Sequence, residues 1–96
     1  MTAMSSPIRL DKWLWHARFA KTRKDAATLI GKRRVRINSE VIEKAHRQVR
    51  LGDVLTLTLK SDVLVLRVTG MAARRGAKAD ARTLYDVIDS NSMELA

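Results

Sequence analysis

The chain contains no cysteine, so disulfides and thiolate metal sites are excluded and nothing points to an oxidising compartment. Glycine is sparse. Gly31, Gly52, Gly70 and Gly76 are too scattered to build a dinucleotide or phosphate loop. Proline occurs once, at Pro7. No run reaches the roughly 18 apolar residues of a transmembrane helix. Residues 1–7 lack the charged-then-apolar pattern of a secretory signal. These absences predict a soluble cytoplasmic protein with no membrane-spanning helix. Histidine occurs only at His16 and His46, and neither has a carboxylate pair at metal-ligand spacing. His16 reads as a polar residue on the basic face of a first helix. The serines fall in predicted loops and tails, without a nucleophile elbow. No catalytic residue, metal site, cofactor or small-molecule substrate is expected. The 96 residues suffice for one domain with a modest core, and leave little for a deep active-site cleft.

What the chain has is positive charge in one half. The net charge is +9, and residues 1–50 carry 13 basic against 4 acidic side chains. Residues 51–96 carry 6 of each, so the whole excess lies in the first half. Such a lopsided field suggests a polyanionic partner, nucleic acid first and an anionic membrane second. A solvated basic face without a partner is the plain alternative.

Residues 1–8 read as a disordered lead-in, 9–88 as the folded domain and 89–96 as a frayed tail. Over residues 9–20 the helical period gathers Leu10, Trp13, Leu14, Ala17 and Ala20 on one face. Thr22 followed by Asp25 approximates a capping box, opening a second helix that runs to Gly31 or Lys32. The period then becomes two. Val35 and Ile37 share one strand face, Arg34 and Arg36 the other, with a turn at Asn38-Ser39 and a return strand over residues 40–42. Strands are predicted at Val54–Leu59 and Val63–Val68. A loop follows over 70–78, and a last helix over 80–88 places Ala81, Leu84, Tyr85 and Ile88 on one stripe. The expected fold is α+β: two N-terminal helices packed on a small, mostly antiparallel sheet of about four or five strands, with one C-terminal helix.

The chemistry sits at Arg9, Lys12, Arg18, Lys21, Arg23, Lys24, Lys32, Arg33, Arg34 and Arg36, ten cations within 28 residues. Only Asp11 and Asp25 oppose them, and both are expected to restrain neighbouring arginines or favour helix N-termini. The end of the first helix, the start of the second and the following strand can converge on one surface. Thr22 and the nearby backbone N–H groups add anion donors, and guanidinium forks suit phosphates. Trp15 and Phe19 lie one turn apart, away from the main core face. They either stack on unpaired bases or are covered by the last helix through Leu84, Tyr85 and Ile88; the packing reading is favoured.

Three strings carry a resemblance: Arg9-Leu10-Asp11-Lys12-Trp13-Leu14-Trp15, then Arg18-Phe19-Ala20-Lys21-Thr22-Arg23, then Ala26, Ile30, Val35 and Asn38. Together they resemble the RNA-binding domain named after ribosomal small-subunit protein four, whose core is the alpha-L motif. The Trp-Leu-Trp and Arg-Phe-x-Lys-Thr-Arg strings look most like its branch of small ribosome-associated heat-shock proteins. The likeness continues through Gly52-Asp53, Arg75-Gly76-Ala77 and Leu84-Tyr85, over roughly residues 8–88. It implies an RNA surface of two helices and a hairpin, carried at matching positions by Arg9, Lys12, Lys21, Thr22, Arg23, Arg34, Arg36 and Asn38. Arg18, Lys32 and Arg33 join them from the basic constellation. It also implies a ribosomal RNA partner on free large subunits that hold a stalled nascent chain on transfer RNA, and contact with the transfer RNA itself stays open. Rescue or recycling is then assisted without catalysis. A monomer is expected. Two departures stand out. Lys32-Arg33 and Ser39 occupy places where the family usually has glycine, which predicts a differently shaped hairpin. The basic C-terminal extension of some relatives has no counterpart here, so affinity from it is expected to be missing.

Three rivals stay open: a DNA-binding winged helix, the RNA-binding module of a modification enzyme such as a pseudouridine synthase, and a regulator of another structured RNA or of a protein. Against the first, Ala26, Ala27, Leu29 and Ile30 fill much of the second helix where base-reading side chains belong.

Overall fold

A computed structural model describes residues 7–59, 62–71 and 81–92. The expected lead-in over residues 1–6, most of the 70–78 loop, the Arg75-Gly76-Ala77 string, Asp80 and residues 93–96 lie outside the described residues. Strand β1 (Ile8–Arg9) leads into helix α1 (Leu10–His16), and helix α2 (Arg23–Gly31) follows. Five strands come next: β2 (Val35–Ile37), β3 (Glu40–Val41), β4 (Gln48–Val49), β5 (Val54–Leu59) and β6 (Asp62–Val68). A short 3₁₀ turn (Arg82–Leu84) precedes β7 (Tyr85–Ser92). The main sheet has the order β3-β2-β5-β6-β7, antiparallel throughout, and β1 pairs separately with β4.

The two helices and the antiparallel sheet are as expected, and the alternation of Val35 and Ile37 against Arg36 is reproduced as buried against exposed. Leu10, Trp13 and Leu14 of α1 and Ala26 and Ile30 of α2 join Val35, Ile37, Leu55, Leu57, Leu66 and Val68 in one core. Removing this apolar surface from water drives the helix pair onto the inner face of the sheet. The Trp13 indole N–H, fully buried, donates to the Gly70 carbonyl at 3.1 Å. Gly70 has no room for a side chain unless its neighbours shift: a Cβ there would lie 2.9 Å from the Thr83 carbonyl oxygen.

Both helices end alike. Beyond α1, the Arg18 N–H donates to the Trp15 carbonyl and the Phe19 N–H to the Leu14 carbonyl. Beyond α2, the Arg33 N–H donates to the Ile30 carbonyl and the Arg34 N–H to the Leu29 carbonyl. These are paired Schellman closures, with Arg18 (φ 66°) and Arg33 (φ 63°) at the left-handed position that glycine usually fills. The first helix is therefore shorter than the 9–20 span expected. Its end satisfies carbonyls that would otherwise be orphaned.

The hairpin keeps a standard shape despite Ser39. Asn38 (φ 51°) and Ser39 (φ 74°) both take the positive φ that a two-residue loop between twisted strands requires. Asn38 is fastened there, accepting from the Val54 N–H at 3.0 Å and donating to Asp53 Oδ1 at 3.2 Å.

The expected C-terminal helix is corrected by the structure. One 3₁₀ turn forms, and from Tyr85 the chain is strand, pairing with β6 from Val68↔Tyr85 to Asp62↔Ser92 with a bulge near Val65. The apolar spacing of 81–88 fits a helix, but Tyr85, Val87 and Ile88 are β-favouring types. Asp89 and the Ser-Asn-Ser that follows are poor helix formers. An isolated helix this short is marginal, whereas β6 offers a full row of backbone partners. His16 is a second correction: it is buried, not on the basic surface. Five of the seven α1 residues are buried, because the helix is covered around most of its circumference.

Candidate nucleic-acid interface

Asp11 organises the starts of both helices. Its carboxylate is 6% exposed and accepts from Arg9 Nε at 3.1 Å and Arg9 Nη2 at 2.9 Å, a bidentate fork. Arg23 Nη2, from the first turn of α2, approaches the same carboxylate at 3.7 Å. The Arg9 and Arg23 side chains stay 50% and 44% exposed, so both retain donors for a second anion. The N–H groups of Leu10 and Asp11, orphaned at a helix start, donate to the carbonyls of Arg47 and Ala45. That fixes the carboxylate, and through it the two guanidiniums.

The corner between the helices is set by Thr22. Its hydroxyl accepts from the Asp25 N–H at 3.0 Å, the cap predicted from sequence. One lone pair of the hydroxyl oxygen is thereby committed to the helix, and its O–H is left to donate. Arg18, Lys21, Arg23 and Lys24 surround the corner and are exposed; Lys12 is half-buried on α1. At the far end of α2, Lys32 and Arg34 line one groove with Asp25, Leu29 and Asp62. Arg33 is turned by its left-handed backbone toward Glu43, pairing at 3.0 Å.

Not all the cations converge. Val35 and Ile37 face the core, so Arg36 points from the outer face of the sheet, in one row with Thr56 and Val65. The helix pair covers the inner face, so Arg36 stands apart from Arg9 and Arg23. Asn38 has both ends of its amide engaged in the hairpin. Phe19 stacks on Trp13 at 6.2 Å and meets Tyr85 at 4.9 Å, while Trp15 lies against His16 at 5.4 Å. The expected cover by Tyr85 holds for Phe19, but from a strand, and Ile88 is exposed.

Arg82 joins the site only through the tertiary fold. The structure places it beside Arg18 and Lys21, across a cleft floored by Phe19 and Tyr85. Its approach depends on where β7 docks, so no local pattern signals it. Among the described residues no group of three or more histidine, aspartate or glutamate side chains is placed to hold a metal. Among them, too, no helix is long and apolar enough to cross a membrane.

Comparison with known proteins agrees with this geometry. The S4 domain family matches residues 8–55, which span both helices, the hairpin and the first residues of β5. Heat shock protein 15 of Escherichia coli (strain K12) is 37% identical over 79 residues, 82% of this chain and 59% of that protein. The small ribosomal subunit protein uS4 of Chromohalobacter salexigens is 30% identical over 88 residues, 90% of this chain and 40% of that protein. The chain thus spans less than two thirds of the length of these relatives. A solved structure described as the trimeric structure of Vibrio cholerae Heat Shock Protein 15 superposes with a TM-score of 0.80 at 32% identity, covering 85% of this chain and 82% of that one. With the family matched across the helix pair and hairpin, and this likeness over most of the fold, the chain belongs to the S4-domain family.

Proposed function

We propose that the chain is a non-catalytic RNA-binding protein of the cytoplasm that grips structured ribosomal RNA through the helix pair. The observation that carries this reading is the Asp11 hub, which holds Arg9 and Arg23 side by side with their guanidiniums half exposed. Lys12, Arg18 and Lys21 extend that surface along the corner, and Lys32 and Arg34 extend it to the far end of α2. Thr22 fixes the corner through its accepting oxygen and keeps its O–H to donate to a phosphate, whereas Asn38 acts by fixing the hairpin, since both ends of its amide are engaged. Arg33 and Arg36 contribute from separate directions.

The partner reading is finer: a free large ribosomal subunit carrying a stalled nascent chain on transfer RNA. It is supported by the likeness to heat shock protein 15. The likeness to uS4, a small-subunit protein, supports ribosomal RNA more broadly. Double-helical RNA hides its major groove from side chains, so such a surface reads phosphate geometry more than sequence. The DNA-binding alternative is disfavoured because the basic residues cluster at the ends of α2, with Ala27, Thr28 and Leu29 on the middle of its uncovered face, which favours phosphate clamping over base reading. A competition titration is the test. Ribosomal RNA should displace the protein from duplex DNA at low salt, and the reverse order of affinity overturns the proposal. The monomer expected from sequence is part of the same proposal, against which the trimeric relative stands. A trimer mass in sedimentation equilibrium overturns that part.

A further inference from the structure

We propose that the cleft between the α1–α2 corner and the start of β7 receives one unpaired nucleotide of a folded RNA. This rests on the RNA-binding reading above and adds to it a site for a single base. The cleft has a volume of about 560 Å³, and its floor is Phe19 and Tyr85. That volume falls within the ~300–1,000 Å³ range of small-ligand sites.

The floor is braced from behind. Phe19 stacks on the buried Trp13 with planes 24° apart, and Tyr85 sets its ring at 71° to the same indole. Phe19 and Tyr85 themselves sit 4.9 Å apart. Among the described residues three cations rim the opening, Arg18, Lys21 and Arg82, and no carboxylate is in its lining. The rim is built from distant parts of the chain. Arg18 occupies the left-handed position after α1, Lys21 precedes the Thr22 cap, and Arg82 belongs to the 3₁₀ turn before β7. The other described lining residues are alanines, whose methyl groups take up little of the space.

An aromatic floor under a cationic rim matches a nucleotide: a flat π-face to stack and phosphates on either side to pair. A purely acidic ligand would use the rim and gain nothing from the rings. The cleft adjoins the proposed duplex-gripping surface, because Arg18 and Lys21 serve both. A base flipped from a bulge or loop beside a gripped helix therefore falls next to it.

The test compares two short RNA duplexes of one sequence, fully paired or carrying a single bulged adenosine, by fluorescence anisotropy. The native protein should bind the bulged RNA about ten-fold tighter, the scale of one stacked base. Arg82→Gln, on an exposed turn, and Phe19→Leu, which keeps apolar bulk but removes the ring, should each bring that ratio close to one. Thermal melting of Phe19→Leu identifies a folding defect, and Arg82→Gln carries the test on its own if one occurs. Equal affinity of the native protein for both RNAs overturns the cleft and leaves the RNA-binding reading standing. A bulge preference that survives Arg82→Gln also overturns it. Failure to bind either RNA at low salt overturns both.

Discussion

Replacing Asp11 by asparagine separates positioning from charge, because the two effects have opposite signs. Asp11→Asn raises the net charge by one above its value of +9. Counted as charge alone, the variant should bind RNA more tightly. A carboxylate roughly 6 Å from a phosphate repels it by about 0.7 kcal/mol in water before salt screening, and by less at working ionic strength. Against this stands the order that Asp11 imposes. Its fork fixes Arg9 at 2.9 and 3.1 Å and draws Arg23 to 3.7 Å. Without it, both side chains must be immobilised on binding, at about 0.5–1.5 kcal/mol each. Positioning wins, and affinity should fall about three- to ten-fold at fixed salt. The slope of log K against log salt should stay the same, because the same phosphates are neutralised. Stability should fall too. A charge-assisted bond to a buried carboxylate is worth about 1.5–3 kcal/mol. Half-exposed arginine partners reduce this to about 1–2 kcal/mol, or roughly 4–16 °C in Tm for a domain this small. Filter binding at several salt concentrations and a thermal melt measure both. Tighter binding with a steeper salt slope would refute the hub and leave a plain charged surface.

Four further outcomes follow from the same structure. Ser39→Gly should raise stability by about 0.5–1 kcal/mol, because a left-handed strain of about 1–2 kcal/mol is released against the unfolded-chain freedom of glycine; a lower Tm would contradict it. Gly70→Ala should cost about 1–3 kcal/mol, since its Cβ meets the Thr83 carbonyl at 2.9 Å and displaces the Trp13 hydrogen bond; urea unfolding checks this. Leu57→Ala, at a fully buried position of the central strand, should cost about 2–5 kcal/mol in the same assay. If five to eight phosphates are neutralised, RNA affinity should fall by roughly two to five decades between about 50 and 200 mM salt, and a weak response would count against the basic surface.

Much of the site was legible because its signals are local. Thr22 reads as a cap from its own neighbours, and the alternation through Val35 and Ile37 fixes which face of β2 is buried. The restraint of arginines by Asp11 follows from its isolation among cations. What was not legible depends on distant partners or on rare backbone. Residues 81–88 carry a helical spacing, and only the open edge of β6 makes β7 a strand. Arginine in the left-handed position after each helix has no sequence signature, so α1 reads longer than it is. The separation of Arg36 from the helix surface needed the sheet to be placed against the helices. The approach of Arg82 to Arg18 needed the docking of β7.

The most direct test of the central claim is sucrose-gradient co-sedimentation from stressed cells. Native protein is compared with Arg23→Glu/Arg34→Glu, a charge reversal at both ends of α2. The account predicts native protein in the free large-subunit fractions and the variant at the top of the gradient. Native protein remaining at the top in low salt, or a variant that sediments with the subunit as the native does, would contradict it.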